Sequence, residues 1–124
     1  MTVWAAPGCD CCEKWVEHMT KAGFNVIVHR SEDMAAIKSA NGVPEAVQSC
    51  HTALVDGYVV EGHVPADVVA RVLTQRPDAK GVAAPGMPQG SPGMGDGPHE
   101  PYDIVLFGGL SSGGSSSVTF FERR

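Results

Sequence analysis

The chain has 124 residues, 43% of them hydrophobic and 19% charged, with a formal charge of -5. That is the length of one domain able to bury a core without disulfide staples. The balance excludes a disordered chain, and no apolar run approaches the roughly 18 residues of a membrane-spanning helix. The 9 Lys and Arg residues form no cluster that could follow a phosphate backbone, which argues against nucleic acid as a partner.

In chain order, Thr2-Val3-Trp4-Ala5-Ala6 predicts a short buried strand, Pro7-Gly8 a turn, and Cys9-Asp10-Cys11-Cys12 the opening of a helix. Trp15, Val16, Met19 and Ala22 recur at helical spacing, and Gly23 supplies a stop. Phe24 to His29 is rich in β-formers, completing a β-α-β unit whose strands should run parallel. Ser31 suits the N-cap of a second helix from Glu32 to Ala40, ended by Asn41-Gly42, and Pro44 suits the start of a short helical turn to Gln48. Thr52 to Val55 and Tyr58 to Glu61 flank Asp56-Gly57, a strong signal for a tight hairpin. Pro65 opens a third helix to about Gln75, with Val68, Val69, Val72 and Leu73 on one stripe.

The order β-α-β-α-β-β-α predicts an α/β fold of thioredoxin-like type: a mixed central sheet, made of a parallel and an antiparallel pair, with flanking helices. A ferredoxin-like α/β sandwich is the nearest rival. Residues 81 to 101 hold 6 glycines and 5 prolines, a composition expected of a loop, in which Pro85-Gly86-Met87 returns as Pro92-Gly93-Met94. Tyr102 to Phe107 and Ser117 to Glu122 predict a last strand pair joined by a Gly/Ser-rich loop at 108 to 116. The whole of residues 1 to 124 reads as a single metal-binding domain. No basic stretch precedes the apolar Val3-Trp4-Ala5-Ala6, so no secretory signal is visible; a cytosolic protein and a mature exported domain both fit.

Three of the four cysteines lie within four residues, a spacing that suggests a site rather than a structural framework. At a helix N-terminus the free backbone N–H groups and the helix dipole stabilise thiolates, so these thiols should ionise below the free value of about 8.5. Cys9 and Cys12 have the spacing of a redox CxxC pair, and Cys11 adds a third sulfur that a dithiol exchanger does not need. Side chains of neighbouring Cys11 and Cys12 diverge by about 100° on a helix. That disfavours joint ligation of one tetrahedral ion and favours bridging between soft copper(I) ions. Cys50 precedes the hairpin, where this arrangement brings a loop to the helix N-terminus, and would close the site. The bland alternative is a Cys9–Cys12 disulfide with Cys11 and Cys50 as small buried hydrophobes.

His51, beside Cys50, reads either as a ligand or as a polar residue at strand entry. His63 reads either as a residue approaching the site from the far end of the hairpin or as a structural histidine. His18, His29 and His99 lack partner spacing and read as solvent residues. Met87 and Met94 carry soft thioethers on a segment long enough to cover the cysteines, or else pin that segment to an apolar surface. Trp4 and Trp15 fit core positions.

The runs Ala-Pro-Gly-Cys-Asp-Cys-Cys at 6 to 12, Gly-Val-Pro at 42 to 44, Gln-Ser-Cys-His-Thr-Ala at 48 to 53, Asp-Gly-Tyr-Val-Val-Glu-Gly-His-Val-Pro at 56 to 65 and Pro-Gly-Met-Pro-Gln-Gly-Ser-Pro-Gly-Met at 85 to 94 resemble the CopG-type copper-resistance proteins, a family long catalogued as a domain of unknown function. The resemblance covers about residues 2 to 107 and is specific in combination, although CxCC alone is weak. It implies a periplasmic protein of bacterial copper and silver resistance. On that basis the cargo is copper(I), more than one ion, with silver(I) as an alternative, held in a multinuclear thiolate cluster at Cys9, Cys11, Cys12 and Cys50, with cysteine redox change as a further implication. Other periplasmic copper-handling proteins would be its partners. The alternative is a thiol-disulfide oxidoreductase using Cys9 as nucleophile and Cys12 as resolving thiol; a metal-binding or redox protein is expected rather than an enzyme with a defined substrate.

Overall fold

The computed structural model describes residues 1–86, 101–109 and 114–124, with backbone alone at 10, 11, 109 and 114–117. Its elements are β1 (Thr2–Ala5), α1 (Asp10–Lys21), β2 (Ile27–Arg30), α2 (Met34–Ala40), a 3-10 turn (Glu45–Val47), β3 (His51–Val55), β4 (Tyr58–Gly62), α3 (Ala66–Gln75), β5 (Gly81–Ala84), β6 (Asp103–Gly109) and β7 (Gly114–Arg123). The strands form one mixed sheet in the order β2-β1-β3-β4-β5-β6-β7. β1 runs parallel to β2 and antiparallel to β3, and β3 is antiparallel to β4, the parallel and antiparallel pairs expected. Asp56 and Gly57 both have positive φ, 52° and 88°, as a two-residue hairpin turn matched to strand twist requires. No described helix is long and apolar enough to cross a membrane.

Strand alternation divides the core between two faces of the sheet. On one face Val3, Ala53, Val60, Val82, Ala84 and Ile104 pack with Trp15 and Met19 of α1 and with Val68, Val69 and Val72 of α3. On the other, Val59, Ala83 and Phe107 pack with Val43 and Val47, which follow α2. β2 is an edge strand, exposed along its length.

Four expectations are corrected. Residues 81 to 84 are not loop: β5 lies between β4 and β6, parallel to β4, and is buried throughout. Small residues are needed there, since a Cβ on Gly81 would stand 2.2 Å from the Val59 carbonyl oxygen and 2.7 Å from the Phe107 ring. The Pro/Gly bias that suggested a loop begins only at Pro85. The second helix starts at Met34, because Asp33 and not Ser31 is its N-cap; the Asp33 carboxylate accepts the Ala36 N–H, and Ser31 Oγ accepts the Asp33 N–H. The turn after Pro44 is shorter than expected, with Pro44 preceding it. Finally, most of the expected 108–116 loop is strand, since β6 and β7 pair as far as Gly109 and Gly114.

Candidate metal centre

The turn Pro7-Gly8 delivers Cys9 to the N-cap of α1, with Gly8 at φ 78°, a conformation open to glycine. Cys12, one turn into the helix, points inward and is buried, while Cys9 is half-buried. The two are joined as a disulfide with Cα atoms 5.4 Å apart, the pairing the bland alternative foresaw. The sulfurs of Cys9, Cys12 and Cys50 lie within 4.8 Å of one another. Cys12 Sγ is also 3.7 Å from the Cys50 carbonyl oxygen. The segment ahead of β3 therefore does meet the helix N-terminus, as its position in the chain suggested. The side chain of Cys11 and the whole of Met87, Met94 and His99 lie outside the described residues.

Cys50 faces two imidazoles on its other side. Its sulfur is 3.2 Å from His51 Nδ1 and 2.8 Å from His63 Nε2, and these three ligand atoms also lie within 4.8 Å of one another. Both histidines are fully buried, with rings edge to face at 5.0 Å. Of the readings open for His63, the structure places it at the cysteine cluster. His63 reaches Cys50 because the β3–β4 hairpin folds the two strands side by side, pairing Thr52 with Glu61 one position inward.

Trp15 is a core residue as expected, and it also supports the site. Its Nε1 donates to the Val64 carbonyl at 2.9 Å, which sets its ring against His51 with centroids 4.4 Å apart. Burial, with the neighbouring His63 and Lys38 adding to it, lowers the His51 pKa to about 3 against a weaker opposing bond to Gly62, so this ring is neutral at ordinary pH. His51 Nε2 finds no hydrogen-bond partner among the described residues. Neutral imidazole next to sulfur is a ligand set of soft and borderline donors, the chemistry that accepts copper.

Sequence reasoning missed a buried polar group beneath the cysteines. Lys38 of α2 pairs with Glu61 of β4 and donates to Thr52 Oγ1 at 3.1 Å; Thr52 donates to the other Glu61 oxygen at 2.6 Å. Burial pushes the Glu61 carboxyl above its ordinary range, while Lys38, Thr52 and the Ser49 N–H pull it back. The available signal was a Lys in a helix of small and apolar residues and a Glu inside the run Val59-Val60-Glu61-Gly62. His18 was also misread as a solvent residue: its Nε2 accepts the Ala66 N–H at 3.1 Å, satisfying a free donor at the start of α3.

Comparison with known proteins identifies relatives of this arrangement. The family model described as "Protein of unknown function, DUF411" matches residues 47–94. No curated protein matches. A solved structure described as copper resistance protein copG, Form 2, is 40% identical, with 99% of this chain and 95% of that chain covered and a TM-score of 0.89. Form 1 of the same description is 39% identical, with 99% and 94% covered and a TM-score of 0.87. With that identity over nearly the full length of both chains, this protein belongs to the CopG family of copper resistance proteins.

Proposed function

We propose that this protein binds copper(I) in bacterial copper resistance and holds more than one ion at Cys9, Cys11, Cys12 and Cys50, with His51 and His63 completing the ligand set. The single observation that carries the reading is the position of Cys50. Its sulfur belongs at once to the trio Cys9, Cys12, Cys50 and to the trio Cys50, His51, His63, so it can bridge ions held on either side. Thiolate sulfurs bridge soft ions readily, and a sulfur shared by two ligand sets suits a multinuclear cluster better than a single tetrahedral site. The thioethers of Met87 and Met94 belong to the same soft class, and silver(I) is an equivalent cargo for it.

Cysteine redox state regulates this capacity. Reduction of the Cys9–Cys12 disulfide by a dithiol, which is itself oxidised to a disulfide, yields two thiols that bind metal as thiolates; the disulfide form leaves Cys11, Cys50 and the two imidazoles as donors. A periplasmic location, with other copper-handling proteins there as donors or acceptors, fits a site that can exist in both forms.

Metal analysis of the reduced protein loaded with copper(I), with thiols counted on the same sample, tests the reading. More than one copper per chain and loss of free thiols are expected; no copper above background overturns it. The observed disulfide favours a second reading, a thiol-disulfide oxidoreductase working through half-buried Cys9 and buried Cys12. That reading requires turnover of a disulfide substrate that survives Cys11→Ser and Cys50→Ser.

A further inference from the structure

Cys50 lies just before β3, with its sulfur beside two imidazoles and the Cys9–Cys12 disulfide. The residue before it is gripped from two sides. The Ser49 N–H donates to Glu61 Oε2 at 2.9 Å, and the Ser49 hydroxyl donates to the Gly86 carbonyl while standing 4.0 Å from Cys50 Sγ. Gly62, at φ 78°, makes the approach possible: a Cβ there would stand 2.6 Å from Ser49 Oγ. Glu61 is in turn fixed by Lys38 and Thr52, on the face of the sheet opposite Trp15.

A buried ion pair of this kind adds little to stability. Replacing both partners by apolar residues is often neutral, because desolvating two charges offsets their attraction. A buried Lys–Glu pair whose carboxylate also takes a backbone N–H therefore calls for a purpose other than holding the fold. We infer that Glu61, locked by Lys38 and Thr52, is a positioning residue: through the Ser49 N–H it sets the turn that presents Cys50 to metal. Charge makes the hydrogen bond strong, and the bond acts one residue from the ligand. Partners of this kind, one step behind a ligand, alter metal affinity by about 10–100-fold when removed.

This inference rests on the copper reading above, and its test separates the two. The variant Lys38→Met/Glu61→Leu removes the acceptor while leaving no unpaired charge. Lys38→Met/Glu61→Gln removes the same charges and keeps a carbonyl that can accept from Ser49. Two measurements are made on each, amide hydrogen exchange at Ser49 and copper(I) affinity by competition with a chromophoric chelator. In the Leu variant, exchange at Ser49 is expected to rise roughly ten-fold or more and affinity to fall roughly 10–100-fold, with both recovering towards the parent in the Gln variant. In a Cys50→Ser background the Leu substitutions should cause no further loss of affinity, which a merely structural role would not predict. Unchanged exchange at Ser49, a Gln variant no better than the Leu variant, or an equal loss in the Cys50→Ser background overturns the inference. A parent protein that takes up no copper overturns the copper reading instead, and exchange at Ser49 then decides alone whether Glu61 holds the turn.

Discussion

Cys50 and His63 face each other across the β3–β4 hairpin, sulfur to Nε2 at 2.8 Å, although thirteen residues separate them in the chain. The pairing makes His63 a ligand candidate equal to His51, which is next to Cys50 in sequence. Replacing His63 with Leu should fill its buried volume and remove one nitrogen donor. Copper(I) affinity is expected to fall at least about ten-fold while the far-ultraviolet circular dichroism stays that of the parent. Chelator competition checks it, and an unchanged affinity removes His63 from the ligand set.

Acid should destabilise the metal-free protein. The folded pKa of His51 is about 3, below its ordinary value of 6.5, so between those limits the unfolded chain binds the extra proton. Its contribution to stability is complete above 6.5 and is lost as pH falls towards 3, by about 1.4 kcal/mol per unit at most. His18 acts in the same direction: burial lowers its pKa, outweighing Asp67, and protonation would remove the acceptor at the start of α3. Urea denaturation from pH 7 to pH 4 should show the loss, and His51→Leu should flatten it.

Trp15→Phe keeps an aromatic ring in the core and deletes one donor. The Val64 carbonyl then loses its partner, and the contact that orients His51 weakens. Stability should drop by about 1–3 kcal/mol, the cost of leaving a buried acceptor unsatisfied. Equilibrium denaturation monitored by circular dichroism measures it.

Gly62→Ala should be costly for two reasons. The left-handed φ of 78° strains any L side chain, and the new Cβ would stand 2.6 Å from Ser49 Oγ and 2.7 Å from the Ala84 carbonyl oxygen. A loss of at least about 1 kcal/mol is expected. Because Ser49 adjoins Cys50, copper binding should weaken as well. The same substitution at Gly23, also at positive φ but with open space around its Cβ, is the control for backbone strain without the clash.

What local sequence determines here is whatever neighbours in the chain decide. Asp56-Gly57 specifies its own turn because both residues tolerate positive φ, and the strand-turn-helix run at residues 2 to 12 puts three cysteines at a helix start whatever surrounds it. The parallel pair β1–β2 and the antiparallel pair β3–β4 follow from these units, and the combined motifs point to the family. The tertiary structure decided the rest. Gly81–Ala84 is a central strand because only small residues fit between Val59 and Phe107, a condition imposed by strands distant in sequence. His63 joins the cysteines because hairpin pairing brings it opposite Cys50, a contact that periodicity alone does not display. Lys38 and Glu61 read singly as two charges in apolar runs; they become a clamp only when α2 packs on the sheet face that carries Thr52 and Glu61. Residue type thus pointed to a soft-metal chemistry, and the geometry that places the Cys50 sulfur in two candidate ligand trios came from packing across the sheet.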